Sequence, residues 1–197
     1  LRRNGTWLSG PILNRGVIGW SRNSTLHFGR LELLQELQVN SSKRWRLGFL
    51  NSGYVQKGLS RYTPSWGSKY RAISGKEQAL LIRRGVVERE WGHSSLKQGI
   101  PIPPGTDLIV ARGGAAPPAG VGDRVKLFLW SRSALGTHPN VLGGGPLLMQ
   151  HGRIVLNGRS EGFSPGFLRL TAPRTVVGQG RDGQWMLTVH GATTSDP

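Results

Sequence analysis

Short apolar runs alternate along this chain with glycine, proline and polar punctuation. "RGVIGWS", "TLHFGRLELL", "RWRLGFL", "ALLIRRGVVERE", "DLIVARG", "RVKLFLW", "PLLMQHGRIVL", "PRTVVGQ" and "QWMLTVHG" are all rich in Val, Ile, Leu and aromatics, which predicts strands. "LELLQELQ" fits two periods. Leu31, Leu34 and Gln38 fall near helical spacing, whereas Leu31, Leu33, Gln35 and Leu37 alternate, and we assign it to strand. In "SSKRWRLGF" the alternation puts Trp45, Leu47 and Phe49 on one side and Arg44 and Arg46 on the other. Interleaved basic and aromatic residues suit an RNA-binding face, but a half-buried strand reads the same way and is preferred.

Turn chemistry predicts three hairpins, around Arg84 and Gly85, His151 and Gly152, and Asp182 and Gly183, because glycine tolerates positive φ. The prolines of "GIPIPPG" exclude a helix up to Gly105. "RGGAAPPAGVGD", residues 112–123, is the best linker candidate, though a single surface loop accounts for it equally.

One internal echo stands out. Setting "RGVIGWSRNSTLHF" over "RTVVGQGRDGQWML" without gaps aligns Arg15 with Arg174, Val17 with Val176, Ile18 with Val177, Gly19 with Gly178, Arg22 with Arg181 and Asn23 with Asp182. Both segments read as strand, turn, strand, which predicts two equivalent hairpins.

Composition narrows the picture further. The 197 residues suit one folded unit, and 30 glycines with 12 prolines fit many turns between short strands. There are 26 Lys and Arg against 10 Asp and Glu, a net charge of +16 that attracts polyanions. The basic residues form no run of five or six, so a solvated basic surface is preferred over a nucleic-acid footprint. No cysteine is present, which excludes disulfides, thiolate metal sites and a cysteine nucleophile. No apolar stretch approaches the ~20 residues of a membrane span. The chain starts at Leu1 and stops at "TTSDP", as a fragment would.

Most motif-like stretches fail on context. "GQGRDG" satisfies G-x-G-x-x-G, but a strand pattern follows it where a phosphate-binding helix is required. "GGGP" lacks the Gly-Lys-Ser/Thr of a P-loop, and "GHSSL" around Ser94 misses the second glycine of a nucleophile elbow. His27, His93, His138, His151 and His190 show no ligand spacing, so neither metal nor cofactor is expected. The Asn-x-Ser/Thr triplets at Asn4, Asn23 and Asn40 are read as chance. Two features survive. Arg174 opens a strand and presents a guanidinium fork to a phosphate or carboxylate. The three glycines of "GGGP" let backbone approach a ligand, and their amides could form an anion-binding nest.

The ordered set "RYTPSWG", "GIPIPPG", "GGGPLLMQHGRI", "EGF" and "APRTVVGQGRDGQWMLTVHG" resembles the phosphodiester glycosidase family, closest to its bacterial branch, from about Asn14 to Gly191. The animal member of that family removes N-acetylglucosamine from a sugar phosphodiester. The resemblance implies an α+β, strand-dominated single domain over residues 1–197, built of short antiparallel strands and hairpins with few helices. It also implies hydrolysis of the glycosidic bond of a sugar 1-phosphodiester, in a secreted or periplasmic location. By the same likeness, Gly143, Gly144, Gly145, Pro146 and Gly178 bind substrate, and Arg174 and Thr175 are catalytic. Arginine and glycine amides suit a leaving phosphate, while an oxocarbenium-like state calls for carboxylates. Glu161 is the nearest acid to offer one; Asp182 reads as a turn residue. The family's upstream Asn-Gly-Gly-Phe-Phe and downstream Asp-Gly-Gly-Gly-Ser segments are absent, as truncation at both ends would leave it. The expected partner is a sugar phosphodiester or anionic glycan; nucleic acid is disfavoured. The alternative is a non-catalytic module that binds anionic glycans, cell-wall polymers or nucleic acid through its +16 surface.

Overall fold

The computed structural model describes residues 1–10, 14–22, 25–170 and 172–183, and residues 185–190 as backbone. Asn23 and Gly191 therefore lie outside the described residues. The chain forms two compact units, Leu1–Gly162 and Phe163–Pro197. Their strands in chain order begin with β1 (Arg2–Arg3), β2 (Thr6–Trp7), β3 (Arg15–Trp20), β4 (Leu26–Leu31), β5 (Leu33–Val39) and β6 (Arg44–Leu50). Next come β7 (Gly58–Tyr62), β8 (Lys69–Tyr70), β9 (Gln78–Arg83), β10 (Val86–Trp91), β11 (Ile100–Pro101), β12 (Thr106–Arg112) and β13 (Val125–Ser131). The last are β14 (Asn140–Gly143), β15 (Met149–Gln150), β16 (Arg153–Ile154), β17 (Arg174–Gln179) and β18 (Trp185–His190). Two short helices, α1 (His93–Gln98) and α2 (Pro165–Arg169), complete a strand-dominated α+β fold.

In the first unit a seven-stranded sheet runs in the order β10-β9-β12-β7-β6-β5-β13, antiparallel except for the β6–β7 pair. It bends until its ends meet. Val86 bridges Arg124, the Val125 amide donates to Gly85 O, and the Val87 amide donates to Asp123 O. One face encloses Leu37, Val39, Leu47, Leu59, Leu80, Ile82, Ile109 and Val125. The other face carries Tyr62, Ala79, Leu81, Leu108 and Val110, packed with Tyr70, Leu96, Ile100 and Ile102 from β8, α1 and the β11 segment. Burial on both faces explains why "ALLI" and "DLIVA" read as unbroken apolar runs.

Local chemistry sets the turns. Arg84 and Gly85 have φ of 49° and 76° between Arg83 and Val86, and His151 and Gly152 have 52° and 75° between Gln150 and Arg153. Positive φ at both central residues is the two-residue turn that matches strand twist. "LELLQELQ" is strand, divided at Glu32 between β4 and β5, and this corner carries the chain from one sheet to the next. Residues 112–123 form the loop from β12 to β13 within the first unit rather than an interdomain linker. Alternation in β6 holds through Leu47; the register then shifts before Leu50, so Leu50 is buried and Phe49 only half-buried.

The second sheet of the first unit, β2-β1-β14-β3-β4, contributes Val17, Leu31 and Val141 to a cluster with Leu33 of β5, against which Trp7, Leu129 and Leu135 pack. Among the described residues the second unit holds α2 and the hairpin β17–β18. Ser164 caps α2 by accepting the Phe167 amide hydrogen, and Pro165 supplies the preset φ of a first helical residue.

The hairpin echo has a counterpart in the backbone. Arg15 faces Leu31 and Trp20 faces Leu26, while Arg174 faces His190 and Gln179 faces Trp185. The alignment superposes the two ladders residue for residue.

A closed polar cluster lies under the seven-stranded sheet. Arg112 donates to Glu77 Oε1 at 2.9 Å, to Ser60, and to the hydroxyls of Tyr62 and Tyr70; Tyr70 in turn donates to Glu77 Oε2. Ser74 adds its amide and hydroxyl to Glu77 Oε1. Burial pushes both phenols above their ordinary range, so they remain donors.

Candidate functional site

Gly143, Gly144 and Gly145 are exposed, and a β-carbon at Gly143 or Gly144 meets nothing within 4 Å. Here the backbone itself is the accessible surface. The Gly144 amide donates to Gly16 O at 3.0 Å, which interrupts a run of free amides and argues against a nest. Among the described residues the Gly145 amide has no partner. The Gly145–Pro146 peptide is cis and Gly145 has φ 94°. Leu147 then turns inward and is buried.

Beneath this loop lies Glu161, fully buried at 0% exposure. Its Oε2 accepts the Gly16 amide at 2.8 Å and its Oε1 accepts Arg30 Nε at 2.8 Å. The Leu147 amide is shared between the two oxygens at 3.1 and 3.2 Å. Arg30 continues to the Val155 carbonyl, and Arg15 binds the carbonyls of Glu161 and Gly162. One carboxylate thus joins β3, β4, the glycine loop and the segment before Gly162. Space is tight: a β-carbon at 145 would lie 2.9 Å from Glu161 Oε2 and 3.2 Å from the Gly16 nitrogen. At position 16 it would lie 2.9 Å from the Leu147 nitrogen, which explains a glycine inside β3.

In the second unit Arg174, Thr175 and Gly178 share β17. Arg174 Nη2 donates to the carbonyls of Phe167 and Leu170, both at 3.1 Å, and the guanidinium lies 4.4 Å from the Phe167 ring centroid. These carbonyls belong to the end of α2, where a cation is favoured by the helix dipole. Thr175 is exposed, and a β-carbon at Gly178 would meet nothing within 4 Å.

The structure therefore brings Gly145 and Glu161 together in the first unit and sets Arg174, Thr175 and Gly178 on one strand of the second. Sequence reasoning missed Arg30, Gly16 and Leu147. The available signals were faint: a glycine inside the strand "RGVIGW" marks close backbone approach, and a lone arginine interrupts "HFGRLELL".

A solved structure of a hypothetical protein from Synechocystis is 38% identical to this chain, with a TM-score of 0.86 over 95% of the chain and 36% of that protein. A second, from Burkholderia pseudomallei and provisionally called an exported protein, is 16% identical with a TM-score of 0.67 over 94% of this chain and 47% of its own, and shows the fold alone. The chain thus spans less than half of each of these solved structures. No curated protein matches it. The phosphodiester glycosidase family model matches residues 14–197, reaching the loop above Glu161 and the Arg174 strand alike, and the chain belongs to that family.

Proposed function

We propose that this chain carries part of the site of a hydrolase that cleaves the glycosidic bond of a sugar 1-phosphodiester. The observation that carries this reading is the exposed Gly143–Gly145 backbone held from below by Glu161, in a chain of this family. In this reading the loop from Gly143 to Pro146 admits the sugar phosphate, and the open Gly145 amide offers a donor to its oxygens. Arg174, Thr175 and Gly178 of β17 are assigned to substrate by membership of this family alone. Water then adds at the anomeric carbon as the bond to phosphate breaks, which yields free sugar and a phosphomonoester.

Glu161 acts in this reading through the loop. Both its oxygens are occupied and it is fully buried, so it is assigned a positioning role instead of proton transfer. The assay is release of free sugar from a sugar 1-phosphodiester by a full-length relative carrying this domain. Arg174→Ala at the corresponding position should abolish most turnover; unchanged turnover would remove Arg174 from the site. A secreted or periplasmic location belongs to the same family-based reading; no described helix is long and apolar enough to cross a membrane.

A non-catalytic anionic-glycan module is the second reading, favoured by the +16 charge. It requires affinity that falls steeply with salt and depends on many basic residues.

A further inference from the structure

The interior of the closed seven-stranded sheet changes character towards one end. Leu37, Leu59, Ile82 and Ile109 face inward, and side chains two positions apart on a strand share a face. Gln35, Arg61 and Asp107 therefore face inward as well. Strand register gathers them where β5 and β12 begin and β6, β7 and β13 finish: Gln35 pairs with Leu129, Asp107 with Ile82, and Arg61 with both Ile109 and Leu50. A cavity of about 260 Å³ opens at this end, with Trp7, Leu50, Arg61, Thr63 and Leu129 in its wall. Gln35 is 1% exposed, and neither atom of its amide has a partner among the described residues. We infer that this mouth of the closed sheet binds a single uncharged sugar ring.

The groups present define the ligand. Arg61 Nε donates to Asp107 Oδ1 at 2.8 Å, so the guanidinium already has its counter-charge and favours a neutral partner over an anion. Thr63 Oγ1 accepts from Asn51 Nδ2 at 2.8 Å and from the Ser65 amide at 3.3 Å. Both acceptor positions of that hydroxyl are used, and its own hydrogen is left to donate. The Gln35 amide, beside Leu129, adds an acceptor and two donor hydrogens. Trp7, Leu50 and Leu129 supply the apolar part of the wall. A ring with C–H groups on its faces and hydroxyls around its rim matches both kinds of surface, and a pyranose is such a ring. The volume falls below the roughly 300–1,000 Å³ of pockets for larger ligands, which suits one ring rather than a chain of them, and the mouth of a closed sheet is a favoured place for such a site. An unpaired buried amide costs stability, and sugar hydroxyls offset that cost on binding. The site binds and does not cleave, so this inference stands independently of the sugar 1-phosphodiester reading.

The test is NMR of the whole 197-residue chain, following the Trp7 indole and Gln35 side-chain amide signals. The probes are the methyl glycosides of glucose, galactose and mannose, each added to tens of millimolar. At least one should shift both signals along a saturating curve, and the affinity should be the same at low and high salt. Gln35→Leu and Gln35→Met keep the size of the side chain and remove its amide. Either should weaken binding, read at Trp7, by about tenfold, while the chain stays folded. Three results would each overturn the inference: no saturable shift with any of the three glycosides, unchanged affinity in a folded Gln35 variant, or affinity that falls steeply with salt. The last would make the ligand a charged one.

Discussion

Glu161 Oε2 lies 2.8 Å from the Gly16 amide nitrogen, two residues separated by 145 positions of chain. The same carboxylate pairs with Arg30, whose side chain keeps 25% exposure. Glu161→Gln leaves one acceptor oxygen, turns an amide donor toward a backbone donor and strips Arg30 of its counter-charge. The expected cost is about 3 kcal/mol, the low end for breaking a buried pair because Arg30 retains water. Urea unfolding midpoints of the two proteins measure it.

The three glycines of the loop should respond differently to alanine. Gly145→Ala sets a β-carbon at positive φ against Glu161 and the Gly16 nitrogen, and should cost about 1–3 kcal/mol. Gly143→Ala and Gly144→Ala meet open space and should leave stability within about 0.5 kcal/mol. In a full-length relative the same two changes should lower turnover of a sugar phosphodiester through the substrate term. Thermal melts paired with kcat/KM separate the two effects.

Stability should fall at alkaline pH through Tyr62 and Tyr70. Burial raises both phenols above 10.0, so the folded chain holds these protons more tightly than the unfolded one. That contribution is complete below about pH 10 and is lost as pH rises through the folded values. The double change Tyr62→Phe, Tyr70→Phe should lower stability at neutral pH, since Arg112 and Glu77 lose partners, and flatten the decline above pH 10. Chemical unfolding at stepped pH gives both slopes.

Gln35 is buried on the Leu33 and Leu37 side of β5, and neither atom of its amide has a partner among the described residues. An unpaired buried amide is costly, whereas an apolar side chain of similar length is not. Gln35→Leu should raise stability by about 1 kcal/mol. A fall in the unfolding midpoint would count against this account of the site.

What the chain revealed before folding was local. Arg84-Gly85 and His151-Gly152 announce their turns because the required φ is a property of two adjacent residues. The hairpin echo was readable since a ladder register is written in consecutive positions. The Glu161 clamp has no such trace: "RSEGF" shows no period, and Arg30 and Gly16 lie in a different strand pair far along the chain. Arg112 opens the stretch read as a linker candidate, yet it is buried against Glu77 from an adjoining loop. The division at Gly162 was equally invisible, and the proline-rich stretch that suggested a boundary is a loop.

β14 lies between β1 and β3, so the amino-terminal strands share a sheet only through a segment made much later. During synthesis the seven-stranded sheet has all its strands once Ser131 has emerged, but β1 and β3 must wait for Asn140–Gly143. The glycine loop therefore belongs to the last stage of assembly of the first unit, and a chain stalled before residue 140 would present an uncovered β3 to whatever strand it met first.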